Sequence, residues 1–178
     1  MLLPWANELP TRLLSDITLI VVHATEEPTL ASSRKLAEQS ENQISAHYYI
    51  DRDGDVQRWV PDDRIANHVL SHNPKSIGIE LVNNGRYPTH FSSTSQQPSE
   101  PFPKVQLQAL MELLRLLSEV YPSGVQLVRH SDLDLRLRDA TDNKFVAVRR
   151  RIDPGPLFPW DRLVDFWCSI NAQKAAPQ

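Results

Sequence analysis

The run Ile17-Thr18-Leu19-Ile20-Val21-Val22 is apolar or β-branched throughout and carries no charge. It is far too short to span a membrane, and it lacks the alternation of a half-solvated strand. It therefore reads as a strand buried on both faces, which requires cover on both sides. The chain ends this run at His23, followed by Ala24 and Thr25.

The other elements are consistent with a layered arrangement. Thr29 after Pro28 is a candidate cap for a helix near residues 29–40. Ala46 to Asp51 and Val56 to Val60 flank an Asp53-Gly54 pair, the pattern of a β-hairpin. A further strand is expected over Ile77-Gly78-Ile79-Glu80-Leu81-Val82. Residues 88–103 are rich in Pro, Ser, Thr and Gln and read as an irregular surface loop. Val105 to Tyr121 is the clearest helix, with Leu110, Leu113, Leu114, Leu117 and Tyr121 on one stripe and Pro122 and Gly124 as its stop. Gln126 to Arg129 is a short strand ending at His130. The charged stretch 131–150 reads as a loop with a short strand over Phe145–Val148, and Asp161 to Ile170 as a closing helix. Interspersed strands and helices imply an α/β or α+β layer structure. At 178 residues, without an internal repeat, one domain is expected.

Charge and cysteine content narrow the functional classes. A net charge of −3 argues against general binding to nucleic acid or anionic membrane. Cys168 is the single cysteine, so no internal disulfide forms, and it is expected to be a packing residue. The segment MLLPWANELP has neither a basic n-region nor a long apolar run and does not read as a signal peptide. The simplest expectation is a cytoplasmic monomer with no membrane insertion, although export without a cleaved signal fits the same residues.

Three features carry chemistry. His23 and His130 each directly follow an apolar strand, where loops on a rigid sheet build sites. Asp153-Pro154-Gly155-Pro156 sets a carboxylate between residues that constrain the backbone. Two histidines and an acid would bind zinc with an open fourth position, the catalytic pattern. Spacing alone equally allows unrelated histidines and an ordinary Asp-Pro turn, which are commoner. Glu80 interrupts an apolar strand pattern. Alternation places it with Gly78 and opposite Ile77, Ile79 and Leu81, either on a solvated edge or facing a cleft.

Taken in order, Val21-Val22-His23, Ser45-Ala46-His47-Tyr48-Tyr49-Ile50-Asp51-Arg52-Asp53-Gly54, Val60-Pro61-Asp62, Ala66-Asn67-His68, Ser76-Ile77-Gly78-Ile79-Glu80-Leu81-Val82-Asn83, His130-Ser131-Asp132 and Asp153-Pro154-Gly155-Pro156 resemble the zinc-dependent type 2 N-acetylmuramoyl-L-alanine amidases. That family includes muropeptide-recycling amidases, phage amidases and peptidoglycan recognition proteins. The resemblance implies a single α/β domain over 16–170, between an N-terminal extension at 1–15 and a tail at 171–178. Its central mixed β-sheet would be flanked by helices, with a zinc groove on one side. It also implies Zn2+ held by His23, His130 and Asp153, with Glu80 catalytic. His47, His68 and Asn83 would lie at the substrate. Arg151 stands where the family commonly has lysine. It would keep the positive charge that stabilises an oxyanion. The stretch 131–152 is longer than the compact turn typical of the family, and a solvated insertion is favoured over a groove wall. Asn67 stands where tryptophan is frequent. The implied reaction is hydrolysis of the amide between the lactyl group of N-acetylmuramic acid and L-alanine, in peptidoglycan or muropeptide. The alternative is a non-catalytic peptidoglycan-binding module of the same fold.

Overall fold

A computed structural model describes residues 1–121 and 124–175, with side chains described to residue 172. Pro122, expected to help end the long helix, lies outside the described residues, as does the end of the expected tail. Strands β1 (Leu19–Ala24), β2 (Tyr48–Ile50), β3 (Val56–Arg58), β4 (Ser76–Leu81) and β5 (Gln126–Arg129) form one sheet in the order β3-β2-β4-β1-β5. Only the β2–β3 hairpin pair is antiparallel. β1 pairs in parallel with both β4 and β5, and β2 in parallel with β4.

The central position of β1 explains its sequence, since every one of its six residues is buried. Its pleat separates two environments. Ile20, Val22 and Ala24 enter the main apolar core with Leu110, Leu113, Leu114 and Leu117 of helix α2 (Lys104–Val120) and Leu163 and Trp167 of helix α4 (Trp160–Ala175). Leu19 and Val21 face the other way, against Val69. His23 continues that second face. Leu110 and Leu114 are fully enclosed, and each such leucine contributes about 1.5–3 kcal/mol through burial.

Helix α1 (Leu30–Gln39) begins as expected: Thr29 Oγ1 accepts from the Ser32 amide at 3.0 Å, and Ser32 Oγ accepts from the Thr29 amide at 3.2 Å. This reciprocal cap satisfies otherwise orphaned donors and is worth about 1 kcal/mol.

Several regions differ from the sequence expectation. The stretch 131–150 is more ordered than a loop: α3 (His130–Leu133) is a single turn, and β6 (Leu137–Asp139) pairs with β7 (Ala147–Arg149) as a separate hairpin. Its strands are short and largely exposed, so no apolar alternation marks them. Asp134 closes its base, accepting from Arg136 Nε and Nη2 at 2.7 Å and from Arg150 Nη1. Asp134, Leu135 and Arg136 also line a shallow depression that reaches His130. Within residues 1–15, Leu3, Ala6 and Leu9 join a second apolar cluster with Tyr49 and Trp59. Their three-residue spacing was the available signal. Cys168 is exposed, because the buried face of α4 is occupied by Leu163 and Trp167. No helix among the described residues is long and apolar enough to cross a membrane.

Candidate metal centre

Strand register builds the first wall of the site. His23 on β1, Glu80 on β4 and Tyr49 on β2 are consecutive cross-strand partners, so they form one row on one face of the sheet. Glu80 therefore faces the cleft rather than a solvated edge, and its side chain is 17 % exposed. Gly78 precedes it on the same face. A Cβ there would lie 2.7 Å from the His68 ring, so glycine is what lets that ring pack flat against the strand.

The second wall returns from the far end of β5. His130 opens α3, and Asp153 follows β7. The Asp153 carbonyl accepts from the Ser131 amide at 3.0 Å, which ties the two ligand-bearing segments together. The result is a triangle of potential ligand atoms. His23 Nδ1 lies 2.9 Å from His130 Nδ1 and 3.2 Å from Asp153 Oδ2, and His130 Nδ1 lies 2.9 Å from the same oxygen. All three residues are buried, and they are the cluster able to hold a metal ion among the described residues. Edges near 3 Å suit three ligands around one ion at about 2.0–2.2 Å. The donor set fits zinc, and Asp153 Oδ1, Glu80 Oε2 and Arg151 Nε around it are buried without protein partners.

A relay of partners assigns the tautomer of His23. His23 Nε2 meets His68 Nδ1 at 2.9 Å, His68 Nε2 meets Ser76 Oγ at 3.1 Å, and that hydroxyl donates to the His72 carbonyl at 2.8 Å. With each ring donating through Nε2–H, His23 presents a free Nδ1 lone pair to the triangle. Such outer hydrogen bonds commonly orient metal-binding histidines. His68 also lines the cavity.

The electrostatics separate the two carboxylates. Burial, reinforced by Asp153, pushes Glu80 well above the usual carboxylate range. Burial would also raise Asp153, but the adjacent His130, and then His23, hold it well below that range. Paired carboxylates pushed in opposite directions take different roles. Asp153 is held towards its anionic form, the form that could ligate a metal ion, while Glu80 binds a proton more readily than an ordinary carboxylate. Burial, then His130, lowers His23 to about 4, so its ring stays neutral and able to ligate.

The cavity over these groups measures about 140 Å³ and is also lined by Arg151, Tyr49, Glu27 and Ile44. Two expected substrate contacts lie elsewhere. His47 is fully enclosed, its Nδ1 accepting from the Gly78 amide at 3.0 Å and its Nε2 donating to the Arg64 carbonyl at 3.1 Å. It sits behind His68 and off the cavity wall. Asn83 is 2 % exposed and braces a turn, accepting from the Gly85 amide at 2.9 Å and donating to the Glu100 carbonyl. Asn67 likewise spends its side-chain amide on the carbonyls of Asn42 and Gln43. Sequence reasoning missed Tyr49 as a wall residue, because its place beside Glu80 is set by the register of β2 against β4.

Fold and site together define an α/β domain built around a candidate metal centre. The chain belongs to the N-acetylmuramoyl-L-alanine amidase family, which it matches over residues 13–156. It is 29 % identical over 163 residues to the N-acetylmuramoyl-L-alanine amidase AmiD of Escherichia coli K12, an alignment covering 83 % of this chain and 52 % of the relative. It is 30 % identical over 135 residues to the 1,6-anhydro-N-acetylmuramyl-L-alanine amidase AmpD of the same strain, covering 71 % and 60 %. The chain thus spans between half and three-fifths of the length of these relatives. A solved complex of E. coli AmiD with anhydro-N-acetylmuramic acid-L-Ala-D-gamma-Glu-L-Lys aligns with a TM-score of 0.64 at 25 % identity, covering 85 % of this chain and 57 % of that one. Drosophila peptidoglycan recognition protein SD shares the fold at TM-score 0.56 and 19 % identity, over 70 % of this chain and 75 % of that one.

Proposed function

We propose that this chain is a zinc-dependent N-acetylmuramoyl-L-alanine amidase that cleaves the lactyl–L-alanine amide of muropeptides or peptidoglycan. The observation that carries this reading is the buried triangle of His23 Nδ1, His130 Nδ1 and Asp153 Oδ2 with Glu80 at its side, His23 Nδ1 lying 3.9 Å from Glu80 Oε1.

His23, His130 and Asp153 would hold the ion. When bound there, zinc supplies Lewis-acid polarisation of the scissile carbonyl and acidifies water. Glu80 takes the proton of the attacking water, and burial raises its proton affinity above that of an ordinary carboxylate. It then delivers that proton to the departing L-alanine amine. Arg151 lines the same cavity with a buried Nε that has no protein partner, and it donates to the carbonyl oxygen as negative charge develops. As an arginine it acts through charge and hydrogen bonds only, since it does not give up a proton. His68 keeps His23 in the ligating tautomer. The complete ligand triangle and the cleft-facing Glu80 favour catalysis over a purely binding role.

Digestion of intact sacculi and of soluble anhydro-muropeptides side by side, with products identified by mass, tests the reading and the substrate class together. Release of free stem peptide that stops on chelation and returns with zinc is the expected result. Zinc and muropeptide binding without any released peptide would make the protein a recognition module instead.

A further inference from the structure

Arg86 is a cation with no solvent exposure, and its guanidinium is fully engaged. Nε and Nη2 donate to the two carboxylate oxygens of Glu26 at 2.6 and 2.7 Å. Nη1 donates to the Arg149 carbonyl at 2.8 Å and to Gln96 Oε1 at 3.2 Å, and Nη2 also reaches the Arg150 carbonyl at 3.2 Å. Arg149 and Arg150 immediately precede Arg151, two positions before the ligand Asp153. Glu26 follows the exit of the strand that carries His23. It adopts φ 52°, in the left-handed region, and its carbonyl accepts from His90 Nε2 at 2.9 Å. Gly85, beside Arg86, adopts φ 51°, and a Cβ there would lie 2.7 Å from Glu26 Cγ. One buried cation therefore ties the segment leaving His23 to the segment entering Arg151 and Asp153.

A buried ion pair is a poor way to gain stability, since apolar side chains of similar volume often serve as well. The contacts made here are directional and end on the carbonyls that precede two site residues. We propose that the Arg86–Glu26 pair is a positioning device for the metal centre: it sets Arg151 and Asp153 against His23 across the cleft. The kinetic part of this proposal rests on the amidase reading, whereas the metal-affinity part does not.

The decisive variant is the double replacement Arg86→Met/Glu26→Leu, made alongside Arg86→Lys. Urea unfolding, zinc affinity by competition with a chromophoric chelator, and kcat and KM on a soluble muropeptide are measured for each. We expect the double variant to unfold cooperatively near the wild-type midpoint. Its zinc affinity should fall by about 10-fold or more and its kcat by about 10–100-fold, with KM little changed. A folded double variant with wild-type zinc affinity and kcat overturns the proposal, because a purely structural pair is restored by apolar packing. Gly85→Ala presses a methyl group on Glu26 without removing a charge. It should lower zinc affinity in the same direction, and it decides the matter if neither charge variant folds. Should the wild-type protein bind zinc without cleaving muropeptide, the amidase reading fails and zinc affinity alone judges the positioning pair.

Discussion

The two walls of the cleft are positioned by different physics. His23, Glu80 and Tyr49 stand on adjacent strands of one sheet, aimed by pleat and register and backed by the apolar core. His130 opens the single turn of α3, and Arg151 and Asp153 stand on irregular chain, together flanking an exposed hairpin. They are held by side chains reaching main-chain carbonyls: Arg86 on Arg149 and Arg150, and Arg149 Nη2 on Ser131 at 2.6 Å. Register is insensitive to any single side chain, because slipping it would invert every residue on the strand. Hydrogen-bonded positioning depends on a few groups, each of which can be removed. The strand wall should therefore fail through chemistry or large core losses, and the return wall through small polar changes.

The largest expected effect lies at Glu80, the group of the strand wall proposed to take a proton. Glu80→Ala should lower kcat by about 10³-fold, or about 4 kcal/mol in the barrier. Zinc content and unfolding midpoint should stay near wild type, because the ligand triangle does not include Glu80. Metal analysis alongside turnover checks this, and near-wild-type turnover would remove Glu80 from the mechanism. Next comes the core behind that wall. Leu81 is fully enclosed, and Leu81→Ala should cost about 3 kcal/mol in urea unfolding. The return wall should respond less. Asp134→Ala removes the acceptor shared by Arg136 and Arg150 and should cost about 2 kcal/mol, reduced by salt because both arginines are substantially exposed. A salt-independent loss would show that packing, rather than the ionic clamp, holds the hairpin base.

The same contrast explains what could be read from the sequence. The strands around Val21 and Ile79, the stripe from Leu110 to Tyr121 and the Thr29 cap all announce themselves through composition and period, and the structure has each. His23 and Glu80 inherit their positions from those patterns. Placing His130 and Asp153 at the candidate metal centre depended on the family resemblance, because no periodicity links residues brought together across the chain. His47 shows the limit of that route. Its motif sits among site motifs, yet its ring is spent on the Gly78 amide and the Arg64 carbonyl. Arg86 was equally unreadable, since nothing in the local sequence says that a lone arginine after Gly85 will be buried.

Acid separates the two walls by the pH at which each weakens. Behind the strand wall, burial and then Arg12 lower His47 from 6.5 to about 3, and burial lowers His23 to about 4. In metal-free protein the unfolded chain takes up these protons first. Their stabilisation is therefore complete above pH 6.5 and declines as pH falls towards the folded values. On the return wall, hydrogen bonds from Arg136 and then Arg150 hold Asp134 well below its ordinary 3.8. Its contribution is intact above that value and is lost only at lower pH. His47→Asn keeps an acceptor for the Gly78 amide but removes one titrating group. Between pH 6.5 and 4 its stability should fall less steeply than that of wild type, by about 1.4 kcal/mol per pH unit. Below the ordinary Asp range both proteins should share the further loss from Asp134. Urea midpoints measured across this interval check the sign, and parallel curves for the two proteins would show that His47 takes up its proton without unfolding the sheet.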